Sequence, residues 1–140
     1  MSELRFFFAD HAEIGGCEEF IVSSRFKTKE GTPVPWRLRS MTEAENEECR
    51  KAATKRVKGK NGALVPETSA DEYMVKLVVA SVEFPNLKDA ELQKSYGVFG
   101  AENLLRKMLL PGEYAALVGK VQELNGFDRS TAELVEEVKN

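Results

Sequence analysis

Hydrophobic residues recur at every second position over much of the stretch from Glu18 to Met41, the period of an extended strand whose side chains alternate between two faces. Phe20, Val22, Ser24 and Phe26 share one face, with Glu19, Ile21, Ser23 and Arg25 on the other. A second alternating run sets Val34, Trp36 and Leu38 against Arg37 and Arg39. Between the runs, Lys27-Thr28-Lys29-Glu30-Gly31-Thr32-Pro33 is polar and holds the glycine that a hairpin loop favours. The pattern predicts a β-hairpin over 18–41. Pro33 and Pro35 confine its second strand to an edge or a strand start, because proline donates no ladder hydrogen bond. A lone hairpin is marginal in water, so the aromatic face of Phe20, Phe26 and Trp36 has to seat on something.

Beyond Met41 the period becomes helical. Thr42-Glu43-Ala44-Glu45 is a capping box, and it predicts a helix over about 43–57 with a stripe of small residues, Cys49, Ala52, Ala53 and Val57. Lys58-Gly59-Lys60-Asn61-Gly62 breaks that helix and predicts a mobile loop to about Thr68. Ser69-Ala70-Asp71-Glu72 is a second capping box, opening a run through Phe84 that is apolar nearly all round, as a central helix or a buried strand would be. Pro85 ends that run, Leu87 to Tyr96 form a short helix, and Gly97 supplies a left-handed stop. Ala101, Leu104, Leu105, Met108 and Leu109 mark one face of the next helix. Pro111 suits the first turn of another, with the stripe Tyr114, Leu117, Val118, Val121 and Leu124. Gly126 closes it, with Phe127 placed to fold back. A third capping box, Ser130-Thr131-Ala132-Glu133, opens a last helix bearing Leu134, Val135 and Val138.

The fold class expected is α+β, mainly α, with an N-terminal β-hairpin packed on a C-terminal bundle of five to six helices. At 140 residues, 42% apolar and 31% charged, the chain is expected to form one domain over 1–140. Its parts are an N-terminal segment (1–17), the hairpin (18–41) and a helical part (42–140). The longest apolar runs, such as Phe6-Phe7-Phe8-Ala9 and Leu77-Val78-Val79-Ala80, fall far short of a membrane span. Glu3, Asp10 and Glu13 near the start are unlike a secretory signal, so a cytosolic protein is expected.

The net charge of −3 hides a division along the chain: residues 37–60 carry eight basic and four acidic side chains, a net of +4, while the flanking stretches are acidic. Arg50, Lys51, Lys55, Arg56, Lys58 and Lys60, with Trp36 nearby in sequence, could track a nucleic-acid backbone. A basic helix end that offsets the helix dipole is the plainer reading. Candidate catalysis is sparse. Cys17 and His11 form the one conceivable nucleophile–base pair, with no oxyanion-hole motif beside it. Cys17 and Cys49 read as free thiols, and with one histidine they are too few for a Cys/His zinc site. No catalytic residue, cofactor or metal is expected. Phe6, Phe7 and Phe8 cannot all face inward from one strand, so they either meet a partner or sister subunit or fold across the chain's own core.

Several stretches in order resemble the XkdN-like phage tail assembly chaperones of contractile-tailed phages and prophages. They are Ser24-Arg25-Phe26, then Gly31-x-Pro33-Val34-Pro35-Trp36-x-Leu38-Arg39 leading into the Thr42 helix. Pro85-Asn86-Leu87-Lys88-Asp89, Leu92 to Tyr96-Gly97, Pro111-Gly112-Glu113-Tyr114, Leu124-Asn125-Gly126 and the closing Glu137-Val138-Lys139-Asn140 complete the set. The resemblance covers about residues 20–140. It implies a non-enzymatic protein of the host cytoplasm that keeps the phage tape measure protein soluble during tail morphogenesis and is absent from the mature virion. Self-association or a frameshifted longer form belongs to the same expectation, and no membrane partner does. A small nucleic-acid-binding phage accessory using the basic 50–60 segment is the alternative. The candidate partner-binding residues are Phe6, Phe7, Phe8, Trp36, Leu134 and Val138.

Overall fold

Residues 36–39 show how alternation becomes architecture: Trp36 and Leu38 are buried at 2% and 0% exposure while Arg37 lies in solvent. The computed structural model describes residues 3–10, 12 and 16–127. The strand carrying Trp36 and Leu38, β2 (Trp36–Arg39), pairs antiparallel with β1 (Cys17–Phe20), Phe20 opposite Trp36 and Cys17 opposite Arg39. The expected hairpin is present, but its first strand stops at Phe20 and the connection is longer. Val22 and Ser23 are buried in succession, which breaks the two-residue period, and the Ser23 hydroxyl accepts from the Arg25 N–H at 3.0 Å. The chain then makes an arch over 21–35. At its tip the Gly31 N–H donates to the Thr28 carbonyl at 2.9 Å, and Gly31 takes a φ of +88°.

Helix α1 (Glu43–Ala52) starts on the expected capping box: the Thr42 hydroxyl accepts from the Glu45 N–H, and the Glu45 carboxylate accepts from the Thr42 N–H. It ends earlier than the sequence predicts. Residues 54–57 do not continue the helix but form β3 (Thr54–Lys58), and the expected mobile loop contains β4 (Leu64–Thr68) paired antiparallel with it. The β-branched Thr54, Val57, Val65 and Thr68 favour the pleated surface. The Thr54 hydroxyl meets that of Thr68 at 2.7 Å, and Asn61-Gly62 supplies the tight turn, Gly62 at a φ of +76°. Of the expected stripe, only Ala53 is buried; Cys49 is half-buried and Ala52 exposed.

Helix α2 (Ala70–Ser81) is capped by the Ser69 hydroxyl, which accepts from the Glu72 N–H. Glu72 does not close a capping box; its carboxylate lies 3.7 Å from the Lys55 ammonium. The apolar run to Phe84 divides: Val82–Phe84 is β5, pairing with β2 to complete a sheet of order β1-β2-β5. Pro85 disfavours helical backbone at the residue before it, which opens the way to that strand. Then come α3 (Ala90–Ser95), α4 (Ala101–Met108) and α5 (Pro111–Leu124). Gly97 and Gly126 stop α3 and α5 as expected, at φ of +70° and +79°. Phe127 stays 46% exposed instead of folding back. The fold is therefore α+β with five helices and two small sheets among the described residues, less helical than expected. The helix predicted from Ser130 lies outside the described residues.

The core joins Trp36 and Leu38 of the sheet to Val75 and Val78 of α2, Leu104, Leu105 and Met108 of α4, and Leu117 and Val121 of α5. Phe20 and Phe26 pack on its margin, so the hairpin's aromatic face does seat on the helices. Polar links repeat the connection. Lys120 on α5 reaches Glu18 at 2.7 Å, Arg25 reaches Glu113 at 2.5 Å, and Asn125 Oδ1 accepts from the Met41 N–H at 2.7 Å.

Two carboxylates, Glu113 in one of these links and Glu45 at the head of α1, are expected to set the acid stability. The Arg25 fork, aided by the Ser23 hydroxyl and the Leu110 N–H, holds Glu113 down at about 2 against an ordinary 4.5. The Arg39 guanidinium does the same for Glu45, also lowering it to about 2. A carboxylate whose folded value is depressed contributes its full stability above its ordinary value and loses it as pH falls toward the folded one. Resistance to urea is thus expected to be flat above about pH 5 and to fall between about 4.5 and 2. Glu113→Gln should remove part of that slope; an unchanged slope in Glu113→Gln would show that the Arg25 fork does not stabilise the fold.

Candidate partner-binding surface

An apolar groove of about 280 Å³ opens where the arch, β5, α3 and α4 meet. Phe26, Val34 and Trp36 form the side nearest the arch, Phe84 and Pro85 the end of β5, and Leu92, Tyr96 and Met108 the helical side. Phe26 and Trp36 lie with ring centroids 6.1 Å apart at 46°, and the Arg25 guanidinium covers the Phe26 ring from 5.0 Å. Phe84 is 44% exposed, with the Arg37 guanidinium 5.9 Å from its ring centre. Lys27 is the one charged side chain in the lining, which holds no carboxylate, thiol or imidazole. Such a groove suits one or two apolar side chains of a protein segment and offers nothing to activate a bond.

A second apolar feature is Phe99, 90% exposed between α3 and α4. The loop that presents it is tightly built. Gln93, buried, donates through Nε2 to the Leu87 carbonyl at 2.8 Å and accepts at Oε1 from the Gly100 N–H at 3.0 Å. Asn103 Nδ2 donates to the Phe99 carbonyl at 2.9 Å. The loop thus holds the Phe99 ring in water, as exposed apolar surface outside the groove. Sequence reading misses Phe99 because Gly97 and Gly100 on either side look like helix punctuation.

Of the residues expected from sequence to meet a partner, Phe6 and Phe7 lie in a 3₁₀ turn (Glu3–Phe7) with Phe8 just after it, and the three are 67%, 79% and 49% exposed. Trp36 is different. At 2% exposure it belongs to the core and backs the groove from within, without presenting a face of its own to solvent. Leu134 and Val138 lie outside the described residues. The Cys17 thiol is raised above its ordinary value by its hydrogen bond to Glu83, and the Cys49 thiol by burial, the opposite of what a nucleophile needs. His11 lies outside the described residues. Among the described residues no three His, Cys, Asp or Glu gather into a metal-ligating group, and no helix is long and apolar enough to cross a membrane.

The basic residues of the middle segment divide between α1 and the β3–β4 arm. Arg50 pairs with Glu47 and Lys55 with Glu72. Lys51, Arg56, Lys58 and Lys60 have no carboxylate partner among the described residues.

The family model described as phage XkdN-like tail assembly chaperone protein matches residues 4–139. The chain is 33% identical over 125 residues to "Uncharacterized protein YqbN" of Bacillus subtilis strain 168, covering 87% of this chain and 83% of that protein. It is 29% identical over 122 residues to "Phage-like element PBSX protein XkdN" of the same strain, covering 85% and 81%. The crystal structure of YqbN has the same fold, with a TM-score of 0.77 at 26% identity over 91% of this chain and 99% of that one.

Proposed function

Because the chain belongs to the XkdN-like family of phage tail assembly chaperones, we propose that it binds the tape measure protein and keeps it soluble until tail tube subunits polymerise around it. The family match across 4–139 carries this reading. The apolar groove beside Phe84 and the exposed Phe6, Phe7, Phe8 and Phe99 support it. A tape measure protein is a long helix with a continuous apolar stripe, and a chaperone for it needs shallow apolar contacts that hold and later let go. The chain acts as a single domain, without catalysis, in the host cytoplasm, and leaves before the virion is complete.

Co-expression with a phage tape measure protein tests the reading. The soluble fraction of the tape measure protein is expected to rise several-fold when this chain is present. Equal solubility with and without it defeats the proposal.

A further inference from the structure

The β3–β4 arm stands out from the body with all five residues of β4 exposed. Its base is fixed to the start of α2, where the Ser69 N–H donates to the Ala53 carbonyl at 3.0 Å. Its tip is the Gly59–Gly62 turn, closed by Gly62 N–H donating to the Gly59 carbonyl at 3.0 Å. A two-stranded ribbon gains little by folding into water, so this one has little reason to be there as core.

Register decides what the arm offers. Arg56 lies opposite Pro66 and Lys58 opposite Leu64, and directly opposed residues share a face. That face is a basic column on β3 beside an apolar column on β4. The other face pairs Val57 with Val65 and Lys55 with Glu67. Arg56 and Lys58 have no carboxylate partner in the chain's described residues. Pro66 removes a donor from the middle of β4's outer edge and cations line β3, so pairing with a further strand is opposed on both edges.

From this arrangement we infer that the arm is a docking element for a helical protein segment whose apolar stripe is flanked by carboxylates. The carboxylates meet Arg56 and Lys58 while the stripe covers Leu64 and Pro66. A polyanion fits less well. A ribbon lying against phosphates gains with each phosphate its cations neutralise, and β4 brings Leu64, Val65, Pro66 and Glu67, which add none and include a carboxylate. If the client is the tape measure protein, as proposed above, the arm is a second hold on it beside the groove, but the chemistry of the arm stands apart from that identity.

The test uses the full chain and two synthetic amphipathic helical peptides with the same leucine stripe, one flanked by glutamate and one by lysine, followed by fluorescence anisotropy at low salt. The glutamate peptide is expected to bind at least tenfold tighter than the lysine peptide. The preference should vanish in Arg56→Glu/Lys58→Glu, and Leu64→Ser, on the same face, should weaken the glutamate peptide about tenfold, both variants keeping the parent's far-ultraviolet circular dichroism. Equal binding of the two peptides overturns the inference, as does undiminished binding by both variants. Retention of a 30-base-pair DNA duplex, lost in Arg56→Glu/Lys58→Glu, overturns it in favour of nucleic acid. A chain that prefers the glutamate peptide yet leaves the tape measure protein insoluble upholds the arm and defeats the proposed client.

Discussion

Trp36→Ala is expected to lower the unfolding free energy by about 3–5 kcal/mol, the usual cost of emptying a large aromatic site in a packed core. For a domain of this size that is a large share of the total, and it converts to a fall of roughly 10–20 °C in melting temperature. The reason is position. Trp36 ties the sheet to the helices, stands against Phe26 and closes the back of the groove, all at 2% exposure. Trp36→Phe, which keeps an aromatic ring there, should cost clearly less. Thermal unfolding followed by circular dichroism checks both, since the one tryptophan is the residue removed. A loss under about 1 kcal/mol in Trp36→Ala would mean that the sheet is held to the helices by something other than this side chain.

Phe84→Glu is expected to separate binding from stability. In the free chain the new carboxylate stands in water near the Arg37 guanidinium, so the fold should lose no more than about 1 kcal/mol, as exposed substitutions usually do. When an apolar segment closes the groove, that carboxylate has to give up its water, at a cost of several kcal/mol. Affinity for an apolar client should fall about a hundredfold, and the tape measure protein should return to the pellet on co-expression. A Phe84→Glu chain that melts near the parent temperature and still keeps the client soluble would place the contact elsewhere, with Phe99 and the Phe6–Phe8 turn next to be changed.

The elements decided by short-range chemistry were legible in the sequence. Thr42 with Glu45, Pro111 at the head of α5, and Gly97 and Gly126 at helix ends act within one turn, and each stands where its residues required. The alternation of Trp36, Arg37 and Leu38 was as direct. The errors lie where pairing partners are distant or where two local signals compete. Lys55, Arg56 and Lys58 are good helix formers and made 54–57 look like a continuation of α1, whereas Asn61-Gly62 and the opposed Thr54 and Thr68 settle it as a hairpin. Val82–Phe84 becomes a strand because β2 lies alongside, which no window around residue 83 contains. The groove was hidden for the same reason, since its lining runs from Phe26 to Met108 and only the finished fold brings it together.

The three polar links from the hairpin region to α5 have a consequence for synthesis. Arg25 and Glu113 are 88 residues apart, and Met41 and Asn125 are 84 apart. A chain leaving the ribosome therefore exposes its sheet-forming residues long before the helix that fastens them exists. Such long-range closure is slow and comes late. Until α5 emerges, Trp36 and Leu38 have no finished core to enter, so this assembly factor is itself an unfinished apolar surface for most of its own translation.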